Sequence, residues 1–179
     1  MHRKPLPSQE ELKKYIRQTQ TSVTNFIYCG DYYLFVHRSP EKKIDSNKLN
    51  GIGGRLEPGE DYVSTAIRET KEETGYEIKA YDLEFSGIIR IHEDNADDWV
   101  ICCFKIEVST MKVPIGNKND DGELMWIHKD NLFGTDYELV DDLNYCMQDV
   151  IEGRHSFFMT ARLDDHDKIY DMSMQRIKK

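Results

Sequence analysis

No stretch of this 179-residue chain is apolar enough to cross a bilayer. A span needs roughly 18 consecutive apolar residues, and no segment approaches that. Residues 1–20 also lack the short apolar core of a secretory signal, so the expected location is the cytoplasm. Cysteine is sparse, at four residues: Cys29, Cys102, Cys103 and Cys146. None forms a C-x-x-C pair and none has zinc-ligand spacing, so they read as reduced, partly buried thiols. Positive charge is in short supply too. Lys and Arg number 24 against 33 Asp and Glu, a formal net charge of -9. A field of that sign repels a polyphosphate backbone and argues against bulk nucleic-acid binding. It still admits a small anionic ligand wherever a divalent cation inverts the local sign. There is no internal repeat and no linker, and the length suits one compact domain with its own core.

What is present alternates between strand and helix signals. Residues 1–20 read as a helical extension, with Ser8 and Glu11 at capping-box spacing and Leu12, Tyr15 and Ile16 on one face. The single domain then runs over 21–179. Residues 22–29 and 32–38 are rich in β-branched and aromatic side chains around Gly30-Asp31, a hairpin signal. Residues 39–48, polar and interrupted by Pro40, read as a loop. A glycine-rich stretch, Asn50-Gly51-Ile52-Gly53-Gly54, precedes a Pro58-Gly59 turn and a helix over 61–74 that Gly75 closes. Strands follow at 84–92, 99–108 and 124–128. A second helix covers 142–152, with Asp141 as N-cap and Gly153 closing it. A last hairpin pairs 156–162 with 168–173. Hairpins mixed with helices predict an α+β fold, a mixed sheet with helices on its faces.

The chemistry is concentrated in the first helix. Val63, Ala66, Ile67 and Thr70 share a face at i, i+3, i+4, i+7 spacing, and Glu69, Glu72 and Glu73 fall beside it. Glu69 with Glu73, and Glu69 with Glu72, are like-charge neighbours that cost roughly 0.2–0.5 kcal/mol each on a bare helix. Three carboxylates beside a buried stripe call for a cation, and hard oxygen donors select magnesium or manganese over zinc. Gly53 and Gly54 let the backbone come close to a charged group. Arg68 is expected to pair with Glu60 or a neighbouring carboxylate and hold the loop to the helix.

From Gly54 to Tyr76 the chain reads G-x5-E-x7-R-E-x-x-E-E-x-G, through Gly54, Glu60, Arg68, Glu69, Glu72, Glu73 and Gly75. This resembles the Nudix box, and all seven fixed letters match. A chance match at one position is on the order of 10⁻⁸ from residue usage. Thr70 and Tyr76 stand where the box has bulky aliphatic residues. The resemblance implies a Nudix-type α-β-α sandwich and a metal-dependent pyrophosphohydrolase. It also implies a Mg2+ or Mn2+ shell drawn from Gly53, Gly54, Glu69, Glu72, Glu73 and, from the acidic loop before a late strand, Glu123. Glu69 and Glu73 are the candidates for general base.

The box does not specify a substrate, but two shorter stretches do offer one. Asn50-Gly51-Ile52-Gly53-Gly54-Arg55 is similar to a segment of the MutT-type 8-oxo-dGTP diphosphatases, in which the asparagine bonds the oxidised purine. Asp141-Asp142, before a helix and a terminal hairpin, resembles the Asp-Asp pair that reads the purine edge there. Arg38 matches a basic substrate-side position. The implied reaction takes a purine nucleoside triphosphate, oxidised ones included, to monophosphate and diphosphate. The alternatives are a Nudix pyrophosphatase acting on ADP-ribose, a dinucleoside polyphosphate or another X-linked nucleoside diphosphate, and a ligand sensor without catalysis. The expected partner is a small nucleotide, with no membrane; a homodimer is compatible with this sequence.

Overall fold

The computed structural model describes residues 18–42, 45–93, 97–134, 136–164 and 168–179. The helix expected over 8–17 and the centre of the turn expected at 164–167 lie outside them. Among the described residues nine strands form one sheet: β1 (Thr19–Cys29), β2 (Tyr32–Arg38), β3 (Lys48–Asn50), β4 (Leu83–Glu93), β5 (Asp98–Glu107), β6 (Gly122–His128), β7 (Glu138–Leu139), β8 (His155–Leu163) and β9 (Ile169–Lys178). Their order is β7-β3-β2-β1-β5-β4-β8-β9, with β6 paired to β2 off this path. Pairing is mixed as expected: β1 runs parallel to β5 and β4 parallel to β8, while the hairpins are antiparallel. β3 and β7 are short strands where no strand was expected.

Among the described residues two α-helices cover the sheet, α1 (Tyr62–Thr74) and α2 (Leu143–Glu152). Adjacent residues of a strand face opposite sides, and Cys102 and Cys103 on β5 show which side each helix takes. Cys102 packs with Val23, Phe104 and Ala66 of α1. Cys103 joins Leu143, Cys146, Met147 and Val150 of α2. The helices therefore lie on opposite faces, and the architecture is the α-β-α sandwich.

Local chemistry fixes α1. Asp61 caps it in a reciprocal box with Ser64, and Gly75 at φ 76° ends it in the left-handed conformation that favours glycine. Its buried residues are Thr65, Ala66, Glu69, Thr70 and Thr74, whereas Val63 is exposed. The buried face is thus rotated from the apolar stripe read in the sequence, because polar partners pull it round. Thr70 Oγ1 accepts from Asn25 Nδ2 at 3.0 Å, and the same amide donates to the Ala66 carbonyl at 3.0 Å. The non-aliphatic Tyr76 is also accommodated, buried with its hydroxyl donating to the Thr110 carbonyl at 2.8 Å. At α2 the N-cap is Asp142 rather than Asp141, its carboxylate accepting from Leu143 N at 3.0 Å. The Asp141 carboxylate is turned away to other partners.

Candidate active site

After β3 the chain continues extended along β1. Val23 N donates to Gly54 O at 2.9 Å, Asn25 N to Ile52 O at 2.6 Å, and Ile52 N to Asn25 O at 3.1 Å. Carbonyl direction alternates along an extended chain, so the Gly53 carbonyl between those two points away from β1. A Cβ on Gly53 would lie 2.1 Å from the Val23 backbone oxygen, which cannot give way, and one on Gly54 would lie 2.4 Å from Glu69 Oε1 and push that carboxylate aside. The glycines thus bring the loop against β1 on one side and let the Glu69 carboxylate rest against it on the other.

Arg68 ties loop to helix. Its Nε donates to Glu60 Oε1 at 2.8 Å and an Nη2–H to Glu60 Oε2 at 2.9 Å; a second Nη2–H reaches Arg55 O at 3.1 Å. Nη1 donates to Glu69 at 2.7 Å and to Glu72 at 3.1 Å. Those hydrogen bonds, Arg68 first and the Glu57 backbone next, lower Glu60 to about 2. The expected Arg68–Glu60 pair is formed.

Glu69, Glu72 and Glu73 do not share one environment. Glu72 is exposed and leans on Arg68. Glu69 is buried, and its pKa rises because desolvation outweighs the Arg68 contact. Glu73 is pushed to about 9, by desolvation first and then by the charges of Asp121 and Glu69. The Gly53 N–H bond and the Arg38 charge oppose that shift without cancelling it. Among the described residues, no three acidic, His or Cys side chains already close round a common point, because Arg68 holds Glu69 and Glu72 toward itself. The donor set is nonetheless all hard oxygen, and a half-buried carboxylate crowded by like charge is a group that a divalent cation would relieve. The residues fit magnesium or manganese.

Glu73 also sets an expected pH dependence for the metal-free chain. Between about 4.5, the ordinary carboxylate value, and about 9 the folded state keeps a proton that the unfolded state has lost. Stability should therefore fall as pH rises through that window. A cation competes with that proton, so the rise in Tm produced by a fixed magnesium concentration should widen from pH 6 to pH 8.5. Thermal melts with and without chelator at both pH values check this; a gap that narrows with pH would remove Glu73 from the metal site.

A cavity of about 430 Å³ adjoins these groups. Arg38, Gly53, Gly54 and Asp121 line it beside Glu73, and Asn50, Asp45, Asp141 and Asp142 supply further polar wall. Ile91, Trp99, Ile101, Val140, Leu163 and Ile169 make it largely apolar. Asn50 Oδ1 accepts from Gly51 N at 2.8 Å, which leaves its NH2 group as the donor end. Burial first, and the Asp45 charge second, raise Asp142 to about 6. Glu123 is placed differently: it is exposed on β6 opposite His37.

Four further lining residues carried no assignment in the sequence. Asp121 lies in the acidic loop before β6, two residues from Glu123. Arg55 follows the glycine pair directly, a position that could have marked it. Trp99, with the Arg55 guanidinium 4.7 Å over its ring, read only as a strand residue, and Asp45 only as loop. Long-range packing, not local pattern, brings them here.

A model of the NUDIX domain family matches residues 18–149. Among solved structures, the mutator MutT protein from Bacillus halodurans superposes with a TM-score of 0.71 at 19% identity, covering 87% of this chain and 97% of that one. A NUDIX hydrolase from Nitrosomonas europaea gives 0.61 at 23%, covering 76% and 90%. The NUDIX domain of NrtR from Shewanella oneidensis, complexed with ADP ribose, gives 0.61 at 14%, covering 83% and 99%. Among the described residues no helix is long and apolar enough to cross a membrane.

Proposed function

The chain belongs to the Nudix hydrolase family and is a Nudix pyrophosphohydrolase, and on that premise we propose that it hydrolyses a purine nucleoside triphosphate, oxidised guanine included, to the monophosphate and diphosphate. One observation carries the choice of substrate: the 430 Å³ cavity joins the glycine loop and Glu73 neighbourhood to a largely apolar space with Asn50 and Asp142 in its wall. That is room for a base continuous with a place for phosphates.

Gly53, Glu69, Glu72 and Glu73 would hold the cation, with Gly54 giving Glu69 its room. When bound, the cation offsets charge developing on the transferred phosphoryl group. Glu69 and Glu73 are the carboxylates to which we assign the proton of the attacking water. Arg38, close enough to Glu73 to oppose its pKa rise, faces the phosphates. In the base pocket the Asn50 NH2 donates to a ring or exocyclic acceptor. Asp142 offers an acceptor when ionised and a donor when protonated, which suits a purine edge carrying both. Trp99 is the aromatic face of the pocket among its described lining residues, able to stack on the base.

The test is the ratio of kcat/KM among oxidised guanine, guanine and pyrimidine triphosphates. Asn50→Ala should lower the purine values about tenfold, the worth of one hydrogen bond to a buried partner, and leave slow cleavage of a base-poor diphosphate nearly unchanged. Asp142→Asn should move base preference more than Tm, since asparagine also caps helices. A wild type that prefers ADP-ribose would replace the triphosphate reading with that of a nucleoside diphosphate sugar. Binding without turnover in magnesium would point to a ligand sensor.

A further inference from the structure

Asp141 and Asp142 adjoin in sequence, yet their carboxylates serve different elements. Asp142 turns to the first turn of α2. Asp141 gives both oxygens to the terminal hairpin: Oδ1 lies 3.1 Å from Lys168 Nζ, and Oδ2 accepts from Ile169 N at 2.9 Å. That end of the hairpin forms part of the cavity, because Leu163 and Ile169 line it. The two residues are also partners in the β8–β9 register, just past the irregularity at Arg162/Leu163. The hairpin lies wholly beyond the family match, which ends at residue 149. This wall is fastened to the pocket rim through Asp141.

We propose that Asp141 is a positioning residue that latches the terminal hairpin against the pocket, so that Leu163 and Ile169 form the wall against the base while Asn50 and Asp142 read its edge. The proposal rests on the reading that the cavity takes a base. Its logic is geometric. A carboxylate with both oxygens committed to an ammonium and a backbone N–H is poorly placed to probe a ligand as well. Losing those bonds would free the end of the strand pair that carries the apolar wall. Specificity would then divide into an edge term, set by Asn50 and Asp142, and a fit term, set by the hairpin and shared by all bases.

Lys168→Gln tests the latch from the hairpin side and leaves Asp141 intact; Asp141→Asn tests it from the rim and keeps an acceptor for Ile169 N. Lys168 is about half exposed, so the ion pair is of modest strength. Lys168→Gln should raise KM for every base-bearing substrate about two- to fivefold with kcat held. Asp141→Asn should give the same KM shift, and the double variant should be no worse than either single one. In both variants the Ile169 amide should exchange with solvent faster than in wild type, with the purine-to-pyrimidine ratio fixed. Asp141→Asn altering that ratio where Lys168→Gln does not would make Asp141 a direct reader and overturn the latch. Unchanged Ile169 exchange in both variants would overturn it too. The exchange measurement needs no substrate, so a failure of the latch is distinguishable from a failure of the base-pocket reading, which would show as a wild type indifferent to the presence of a base.

Discussion

Glu73→Gln should cut magnesium-dependent turnover at least about 10²–10³-fold, the range for deleting a group that stabilises transition-state charge, and at the same time raise the Tm of the metal-free protein. The two effects have opposite sign for one reason. Glu73 is poorly solvated and faces Asp121 and Glu69, which is why its pKa stands near 9. Glutamine keeps the shape and an oxygen to accept from Gly53 N–H, and spares the fold the proton that Glu73 has to take up above about pH 4.5. Without the cation, the substitution removes a strain from the fold; with it, the substitution removes an anionic ligand. Glu69→Gln should behave similarly but gain less stability, because it also gives up its 2.7 Å contact with Arg68. Glu72→Gln should gain none, since Glu72 is exposed and already paired with Arg68. The order of turnover loss should be Glu73 and Glu69 ahead of Glu72. Melting curves in chelator and initial rates in magnesium, on the same preparations, check both halves. A Glu73→Gln protein with near-normal turnover, or with a lowered metal-free Tm, contradicts the assignment.

Much of this was legible because it is local. The span of α1 and its close at Gly75, the hairpin at Gly30-Asp31 and the arginine that clamps Glu60 all follow from short-range spacing. The missed features share a different origin. β3 and β7 are too short to show a period and exist because other strands lie alongside them. The rotation of α1, which buries Thr65 and Glu69 and exposes Val63, follows from Asn25 forty-odd positions earlier, whose amide takes Ala66 O and Thr70 Oγ1. The pairing of Asp141 with Lys168 and Ile169 spans 27 and 28 positions. Helical spacing favoured a cap there, and only the packing of the terminal hairpin decides otherwise. Of the cavity wall, sequence resemblance reached Arg38, Asn50, Asp141 and Asp142. Trp99, Asp45 and Asp121 carry no pattern of their own and become visible only when the strands are laid in order, whereas Arg55 ends the glycine stretch and could have been marked by it.

Arg68→Lys should lower turnover about ten- to a hundredfold, the usual cost of losing a group that orients metal ligands, although it preserves the charge. The guanidinium has five N–H donors in a rigid plane, and the contacts of Arg68 number five: two to Glu60, one each to Glu69 and Glu72, and one to the Arg55 carbonyl. A lysine has three donors on one atom and cannot reach these groups together. The Glu60 fork is the part most surely lost, and with it the tie between the loop after Gly54 and the helix carrying Glu69 and Glu73. Glu60 also accepts from Glu57 N at 3.0 Å and Thr65 Oγ1 at 2.8 Å, so the loop should loosen rather than unfold. Arg68→Met goes further and leaves Glu60, Glu69 and Glu72 without a cation. In that variant magnesium should raise Tm more than it does in wild type, because the ion then supplies charge that the guanidinium had supplied. The measurements are kcat with saturating substrate, the magnesium dependence of the rate, and the Tm increment on adding magnesium. Wild-type kcat in Arg68→Lys would mean that the fork has no part in placing the carboxylates. A smaller magnesium increment in Arg68→Met than in wild type would mean that Arg68 and the cation do not share the same carboxylates.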